Sequence, residues 1–380
     1  MSAVGPCHAD FTALAGTLGG IDCATANPVV TVRDPGTLQS WTQPVLELLM
    51  VVGAVVALVH AVLWWRRRGD LSNLGLWLAT VVYVLLLEPP LYFPDRFGLD
   101  EPVGLIFVHN VFTVQFLFDR LPLYIVALYP AMTYLAYTIV QRTGILDRRH
   151  PLIGAACVAV VFHAGYEIFD QLGPGLRWWT WNPAAPSNAP MLGDAPLTSA
   201  VIFAAAAPFG TALLTRLLLA RRPLPGWSFA WRTAAVGILT PLAMMVFSAP
   251  TAPFGATGRA AVLWAELAAL TLVAAAAFRH HFRRQPRLEA ARGGADRFLD
   301  RGPLYGGVAY LAVFALLWTA GNAPPPAVAY AIVCALVFGA AVVARPRPPA
   351  GPPSARTSLT ARLSAGGNRP IGRGRPSRGR

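Results

Sequence analysis

Apolar runs of about twenty residues recur along the whole chain, and this repeat constrains the fold more than any other feature. An α-helix needs about twenty apolar residues to cross the hydrocarbon core of a bilayer. Hydrophobic residues make up 55% of the 380 residues and charged residues only 13%, which is more apolar than a soluble domain requires. The sequence therefore predicts an all-α fold, a polytopic transmembrane bundle of about nine helices with a range of eight to ten. We place the nine spans at residues 44–65, 71–93, 121–140, 152–170, 197–220, 229–249, 259–278, 304–320 and 326–344.

Arginine-rich loops alternate with arginine-poor loops between these runs, and the alternation predicts an orientation. Arg66, Arg67 and Arg68 close the first span, and Arg148 and Arg149 lie just before the fourth. Cytoplasmic loops carry the excess of basic residues in membrane proteins. We therefore expect a multi-pass protein of the plasma membrane, with its N-terminus outside and its C-terminus in the cytoplasm.

Three regions follow from this topology. Residues 1–42 form an extracytoplasmic N-terminal segment, in which Cys7 and Cys23 could pair because disulfides persist outside the cytoplasm. Residues 43–344 form the transmembrane domain, and residues 345–380 form a cytoplasmic tail. The tail contains nine arginines and no acidic residue and is rich in Pro, Gly and Ser. This composition predicts disorder.

The stretch 103–118 is at the short limit for a span. An odd number of crossings should separate the outward loop before it from the arginine-rich loop after residue 140, because these two loops lie on opposite sides of the membrane. We therefore expect a re-entrant or interfacial helix at 103–118, followed by a crossing at 121–140. The alternative is a span of sixteen residues followed by a tight turn, which would invert the topology of one half.

Composition also excludes several cofactors and partners. All 31 basic residues are arginine, so the chain can form no Schiff base with retinal or pyridoxal phosphate and has no P-loop lysine. The formal net charge is +13, and the basic tail suits anionic lipid better than nucleic acid. We expect membrane lipids and a hydrophobic small molecule as partners, no nucleic acid and no cofactor. The sequence leaves the oligomeric state open.

The fourth predicted span carries three titratable residues inside an apolar helix. His163, Glu167 and Asp170 are spaced by four and three residues, which places them within about 60° on one helical face. Ionisable groups in a bilayer are costly and mark functional sites when they face a cavity. The topology places Glu88 of the second span at the same depth. We therefore predict a polar cavity in the outer leaflet, with Glu167, Asp170, His163 and Glu88 as the catalytic residues.

Aromatic and polar residues near the same depth are candidates for substrate binding. The tryptophans of the loop after the fourth span would form an aromatic belt at the membrane interface or a lid over the cavity, whose rings could stabilise a cation. His60, near the inner end of the first span, is assigned to packing or to snorkelling towards the interface. The predicted substrate-binding residues are His109, Asn110, Trp178, Trp179, Trp181 and Glu266.

Three chemistries use carboxylates and histidine in this way. A metal ion could bind His and Glu at i and i+4, but the seven histidines are too few and too scattered for a membrane di-iron site, so we expect no metal. A proton-coupled transporter would need a polar path through both leaflets, and the inner halves of the spans look apolar. General acid–base catalysis on a lipid-like or isoprenoid substrate, with Glu167 and Asp170 as donor and acceptor, fits best. A non-catalytic transporter or membrane scaffold is the alternative.

Three segments, HAGYEIFD, GPGLRWWTWN and PMLGDAPLTSAVIF, lie between residues 163 and 203. Together they resemble the carboxylate helix, aromatic loop and following helix of polytopic bacterial enzymes of carotenoid hydration. The segments HNVFTVQF and LPLYIVALYPAMTYLAY are similar to parts of the membrane spirocyclases of polyketide pathways. The resemblance covers about a quarter of the chain. It implies acid-catalysed addition of water or a hydroxyl group to a hydrophobic substrate, with Asp170 or Glu167 as the proton donor.

Overall fold

The computed structural model describes residues 9–22, 25–101, 103–220, 224–283 and 297–344. Within these ranges the chain is mainly α-helical, as the apolar periodicity predicts. Cys7, Cys23 and the tail after residue 344 lie outside the described residues, so the predicted disulfide and the predicted disorder stay predictions. The helices are Ala9–Gly16 (α1), Thr42–Arg68 (α2), Ser72–Tyr92 (α3), Leu123–Thr143 (α4), Ile145–Arg148 (α5), Pro151–Asp170 (α6), Ala207–Leu218 (α7), Gly226–Ser248 (α8), Ala256–Arg283 (α9), Arg297–Trp318 (α10) and Pro325–Val343 (α11), with a π-helix at Ser199–Ala206 directly before α7.

Eight helical segments of the described ranges are long and apolar enough to cross a membrane. They account for eight of the nine predicted spans and confirm an all-α polytopic bundle. The ninth, predicted at 304–320, corresponds to α10, which is 22 residues long but is not among the eight. The windows of α4 and α6 are each 83% buried, against 28% for α8, α9 and α11. The bundle is therefore built around α4 and α6, and the later helices lie at its periphery.

The two ends of the bundle differ in character. At one end, Trp178 after α6 donates a hydrogen bond to Thr42 at the start of α2, and Arg120 before α4 donates to the carbonyl of Tyr92 at the end of α3. We call this the capped end. At the other end, Arg68 at the end of α2 pairs with Asp300 at the start of α10 at 2.9 Å. We call it the arginine end, because the last turns of α2, α4 and α5 and the residue after α5 carry further arginines, namely Arg66, Arg67, Arg142, Arg148 and Arg149.

Short strands from three segments cover the capped end. β1 pairs antiparallel with β3, β3 with β4, β2 with β5, and β6 with β7. The N-terminal segment thus contributes both α1 and β1 to the cap. The strands are Val30–Val32 (β1), Phe107–His109 (β2), Val114–Phe116 (β3), Leu121–Pro122 (β4), Trp179–Trp181 (β5), Met191–Leu192 (β6) and Ala195–Pro196 (β7).

The prediction of a re-entrant or interfacial helix at 103–118 is wrong, because this stretch forms β2 and β3 and belongs to the cap. Valine and aromatic residues dominate both strands and favour extended backbone. Two polar side chains also form hydrogen bonds with backbone groups of this stretch, in place of the bonds that a helix would make within its own backbone. Asn110 accepts a hydrogen bond from the amide of Val111, and Gln115 donates to the carbonyls of Asn110 and Asp119. The alternative of a sixteen-residue span is excluded as well.

The turn between β3 and β4 is held in an unusual backbone conformation. Leu117, Phe118 and Asp119 all have positive φ, at 56°, 57° and 62°, which costs roughly 1–2 kcal/mol for each non-glycine residue. The side chain of Asp119 forms an ion pair with Arg33, next to β1. Arg33 therefore ties the N-terminal segment to this turn and offsets part of its strain.

Candidate functional site

The ribbon formed by β2 and β5 has two faces with different environments. Phe107 lies opposite Trp181 and His109 opposite Trp179, so these four side chains point to one face, because side chains alternate along a strand. Val108, on the other face, packs in a cluster with Phe11, Ala15, Leu18 and Ile21 of the N-terminal segment. One face of the ribbon is therefore buried under α1 and the other is directed into the bundle.

A cavity of about 30 Å³ lies beneath the inward face of this ribbon. This volume has room for about two water molecules. Six segments that are distant in sequence contribute to its wall: α3, β2, α4, α6, β5 and the π-helix. The wall is mainly aromatic. It also contains two carboxyl groups, one imidazole and one aliphatic hydroxyl group. Its residues are Glu88, Phe107, His109, Ile125, Tyr129, Tyr166, Phe169, Asp170, Trp179, Trp181, Ser199 and Phe203.

Two carboxyl groups in this wall are buried and only partly hydrogen-bonded. The Glu88 Oε1 atom accepts a bond of 2.8 Å from Tyr129, and the Asp170 Oδ2 atom accepts one of 3.0 Å from Ser199. Glu88 Oε2 and the hydroxyl of Tyr92 are buried without a partner at close hydrogen-bond geometry, although the two side chains are near enough to interact with each other. A buried polar atom without a partner costs roughly 1–3 kcal/mol. Such atoms therefore point to a water molecule or a ligand in the cavity.

His109 is the third ionisable group of the cavity. Its Nδ1 atom lies 2.9 Å from the hydroxyl of Tyr124, and its Nε2 atom is buried without a partner. Burial lowers the pKa of His109 to about 3, because an imidazolium is poorly solvated there. The ring is therefore neutral at physiological pH and acts as a hydrogen-bond donor or acceptor rather than as a cation.

The lowered pKa of His109 predicts a pH-dependent stability. Between pH 6.5 and about 3 the unfolded chain binds a proton at this residue and the folded chain does not, so folding becomes less favourable as the pH falls. The expected loss is about 1.4 kcal/mol per pH unit. Thermal unfolding in mild detergent should show a steeper loss of stability for wild type than for His109→Gln between pH 6.5 and 4.5. Equal slopes would mean that His109 is protonated or hydrated in the folded protein.

The π-helix supplies two residues to the cavity. Its bonding is visible where Ala207 donates its amide to the carbonyl of Ile202, five residues earlier. Ser199 and Phe203, four residues apart, both reach the cavity from this segment. π-Helices are rare and are frequently found at functional sites. The π-helix is thus the element that brings a hydrogen-bond donor to Asp170 and an aromatic ring to the cavity wall.

The cavity has an aromatic mouth. Phe107, Trp181 and Phe203 are the lining residues that are partly exposed, whereas the other nine are buried. Phe107 and Phe203 also pack against an apolar cluster that contains Leu91 and Ile106. A molecule reaching the cavity from the membrane side of the cap would pass between these rings.

The three titratable residues of α6 divide between two environments. Asp170 lines the cavity, whereas His163 lies between α6, the π-helix and α11: its Nδ1 atom is 2.9 Å from the carbonyl of Ala200 and its Nε2 atom 2.7 Å from the hydroxyl of Tyr330. Glu167 accepts a bond of 2.9 Å from Gln171 and does not line the cavity. Of the four predicted catalytic residues, only Glu88 and Asp170 therefore line the cavity. His163 and Glu167 lie on the same helical face of α6 as Asp170, but their side chains contact other neighbours.

The other predicted binding residues also divide into two groups. Trp179 and Trp181 line the cavity with His109, so these two tryptophans form part of its wall. Trp178 is fully buried and hydrogen-bonded to the start of α2. Asn110 joins the cap through bonds to Gln39 and to the carbonyl of Arg177. Glu266 lies on α9, outside the cavity wall. Across the described ranges, no group of three or more His, Cys, Asp or Glu residues is arranged to hold a metal ion.

Residues 32–279 match a family described as a domain of unknown function, DUF7802. The chain belongs to the DUF7802 family. The matched region covers about two thirds of the chain and contains every residue of the cavity wall, whereas α10 and α11 lie beyond it. No curated protein and no solved structure matches the chain. No named relative thus supports the resemblance to carotenoid-hydrating enzymes or to spirocyclases.

Several cavity residues of this DUF7802 protein escaped the sequence analysis. Ser199, Tyr129 and Phe203 are neutral residues within apolar helices, where nothing in the sequence distinguishes them from packing residues. The position of Phe107 could have been predicted from the sequence. The tripeptides FVH and WTW alternate large rings with a smaller residue, and such alternation is typical of strands. That pattern predicts the ribbon and places both aromatic pairs on one face.

Proposed function

We propose that this membrane protein binds the reactive part of a hydrophobic molecule in the cavity and acts on it by general acid–base catalysis. The observation that carries the proposal is the meeting of Glu88, His109 and Asp170, from three separate segments, in one aromatic cavity. Paired carboxyl groups are suited to acid–base work, because one can donate a proton while the other accepts one. Glu88 takes the place that the sequence analysis gave to Glu167.

The wall of the cavity supports chemistry that passes through a cation. Trp179, Trp181 and Phe169 line the cavity, and the faces of aromatic rings attract positive charge. The cavity volume suits water as the second reactant. In an acid-catalysed hydration one carboxyl protonates a carbon–carbon double bond, water adds to the resulting cation, and the other carboxylate takes the released proton. The net change is the addition of one water molecule. The number of protons on the enzyme is unchanged, but the proton now lies on the second carboxyl group and must return to the first, directly or through water, before the next turnover.

His109 supports the same proposal as a neutral partner. Its free Nε2 atom can hold a water molecule by donating or accepting a hydrogen bond, depending on the tautomer. Tyr129 and Ser199 fix the orientation of the two carboxyl groups by donating to one oxygen of each. The second oxygen of Asp170 is left for the substrate and the water, whereas Glu88 also interacts with the hydroxyl of Tyr92.

The test compares lipid and pigment extracts from cells that express wild type, Glu88→Gln or Asp170→Asn. Removal of a general acid or base costs about 10²–10⁴-fold in rate, so we expect the product that has gained water to fall at least a hundredfold in both variants. Glu266→Gln is the matched control, because this carboxyl group also lies in a helix but outside the cavity. Unchanged extracts from Glu88→Gln and Asp170→Asn cells, with normal membrane insertion, would rule out catalysis at this cavity.

A scaffold role is the second candidate, and the surroundings of His163 favour it. Both ring nitrogens of His163 are hydrogen-bonded to neighbouring elements, and Tyr310 donates to the carbonyl of Gly165. These bonds join α6 to the π-helix, α10 and α11, as expected for polar contacts that hold membrane helices together. If the lipid and pigment extracts of the Glu88→Gln and Asp170→Asn cells do not change, the scaffold role accounts for the buried polar residues of α6.

A further inference from the structure

A second cavity lies at the middle height of the bundle, between α2, α4 and α10. It has a volume of about 110 Å³ and extends along α2 from Leu49 to His60, with Gly302 and Gly306 of α10 on the facing side. We call it the arginine-end groove. It shares no residue with the aromatic cavity under the cap, and α10 lies outside the region that matches the family.

The polar groups of the groove are already satisfied. The Nε2 atom of His60 lies 3.1 Å from the carbonyl of Leu299, so it must carry the proton, and Nδ1 then accepts a bond of 2.7 Å from Tyr134. Tyr134 in turn accepts a bond from Asn73. His60 is thus buried in a network and does not snorkel. No groove residue is among those with a buried, unpartnered side-chain atom in the described ranges, so the groove suits an apolar occupant, in contrast to the cavity under the cap.

The groove runs along the middle of α2. Leu49 lies seven residues from the start of this helix and His60 eight residues from its end. The eleven-residue step between them spans roughly 16 Å at 1.5 Å per residue. A single hydrocarbon chain that enters from the arginine end would therefore pass His60 first and end at Leu49, beyond the midpoint of α2.

The entrance of the groove is positively charged. Arg66, Arg67 and Arg68 lie at the end of α2, and Arg301 lies beside Gly302 on α10, whereas the neighbouring acidic residues are Asp70 and Asp300. Asp300 is paired with Arg68, and the side chains of Arg66 and Arg301 are exposed. Basic residues next to a membrane surface attract anionic lipid. The positive charge at the entrance thus indicates a lipid with an anionic headgroup, and the apolar groove indicates that an acyl chain is the part bound inside.

We propose that the arginine-end groove binds one acyl chain of an anionic phospholipid, whose headgroup contacts Arg66 and Arg301. The lipid fills the space between the family domain and α10. The site is independent of the proposed catalytic cavity and requires no reaction there.

The test reconstitutes the full chain in bilayer nanodiscs containing equal parts of phosphatidylglycerol and phosphatidylcholine and counts retained lipids by native mass spectrometry after release into detergent. Wild type should retain one phosphatidylglycerol. Gly306→Leu, whose side chain would occupy the groove, should lower this retention at least tenfold. Gly339→Leu is the matched control. Gly339 lies on α11, outside the groove lining, and an added Cβ there meets only Leu311, at 3.8 Å. The double variant Arg66→Gln/Arg301→Gln should keep a lipid but lose its preference for phosphatidylglycerol by at least fivefold.

A second measurement on the wild-type protein covers the case in which Gly306→Leu does not fold. Phosphatidylglycerol with a photoreactive group at the end of its acyl chain should label α2 near Leu49 and α10 near Tyr310. Labelling spread evenly over the outer helices would overturn the proposal. So would full retention by folded Gly306→Leu, or an unchanged lipid preference in the double arginine variant.

Discussion

Trp178→Ala is expected to lower the free energy of unfolding by about 3–5 kcal/mol, the range for loss of a fully buried large aromatic side chain. Trp178 has 0% exposure and stacks on Phe169 with ring centroids 6.0 Å apart. Its indole also donates a bond of 3.1 Å to Thr42 at the start of α2. The substitution therefore removes the link between α2, α6 and the cap and leaves a large void. Titration of the protein in dodecylmaltoside with SDS, followed by circular dichroism, measures the change.

Two further variants define what this result means. Trp227→Ala removes an indole that is 80% exposed and should change the free energy of unfolding by less than about 0.5 kcal/mol. Trp178→Phe keeps most of the apolar volume and loses the hydrogen bond, so its effect should lie between those of the two alanine variants. If Trp178→Ala were no more destabilising than Trp227→Ala, the loop after α6 would not be anchored in the bundle.

Gly193→Ala is expected to cost about 2–4 kcal/mol, because two separate penalties add. Gly193 has a φ of +66°, which an alanine adopts at a cost of roughly 1 kcal/mol. A Cβ at this position would also lie 2.8 Å from the Cα atom of Ala327 at the start of α11. A helix backbone cannot move aside as a side chain can, and overpacking of this kind typically costs 1–3 kcal/mol. The same SDS titration measures the loss.

Gly98→Ala separates the two penalties. Gly98 has nearly the same φ, +67°, but an added Cβ there has no atom within 4 Å. This variant should lose only the conformational part, about 1 kcal/mol. The difference between the two variants then measures how tightly the hairpin of β6 and β7 is packed against α11. Equal losses would show that α11 moves away without cost.

The fold was largely predictable because its main elements follow from hydrophobic length. Nearly every apolar run of about twenty residues became a helix, and the arginines in the last turns of α2 and α4 lie at one end of the bundle. The failure at 103–118 has a specific cause. This stretch is as apolar as a helix that crosses the membrane, but its strands pair with Val30–Val32 and Trp179–Trp181, and pairing partners that distant cannot be read from local sequence.

The candidate site was predictable only in part. A charged residue within an apolar helix indicates that something unusual lies beside it, and this signal led to Glu88 and Asp170. It does not specify which neighbour each side chain meets. Glu167 is only three residues from Asp170, yet it bonds to Gln171 and stays outside the cavity. The difference depends on the positions of α11 and the π-helix, which are set by packing.

The π-helix sets the register of Ser199 relative to α7. This register is needed for the bond between Ser199 and Asp170 but not for the apolar length of the span. Ala204 is fully buried, and its side chain has no polar group to lose. Deletion of this single residue would let the segment relax to an α-helix, which is locally more favourable. The preceding residues would then turn by about 100° and shift by about 1.5 Å relative to α7. Ser199 would leave Asp170 while the span kept its apolar length, so a one-residue deletion could separate the integrity of the site from insertion into the membrane.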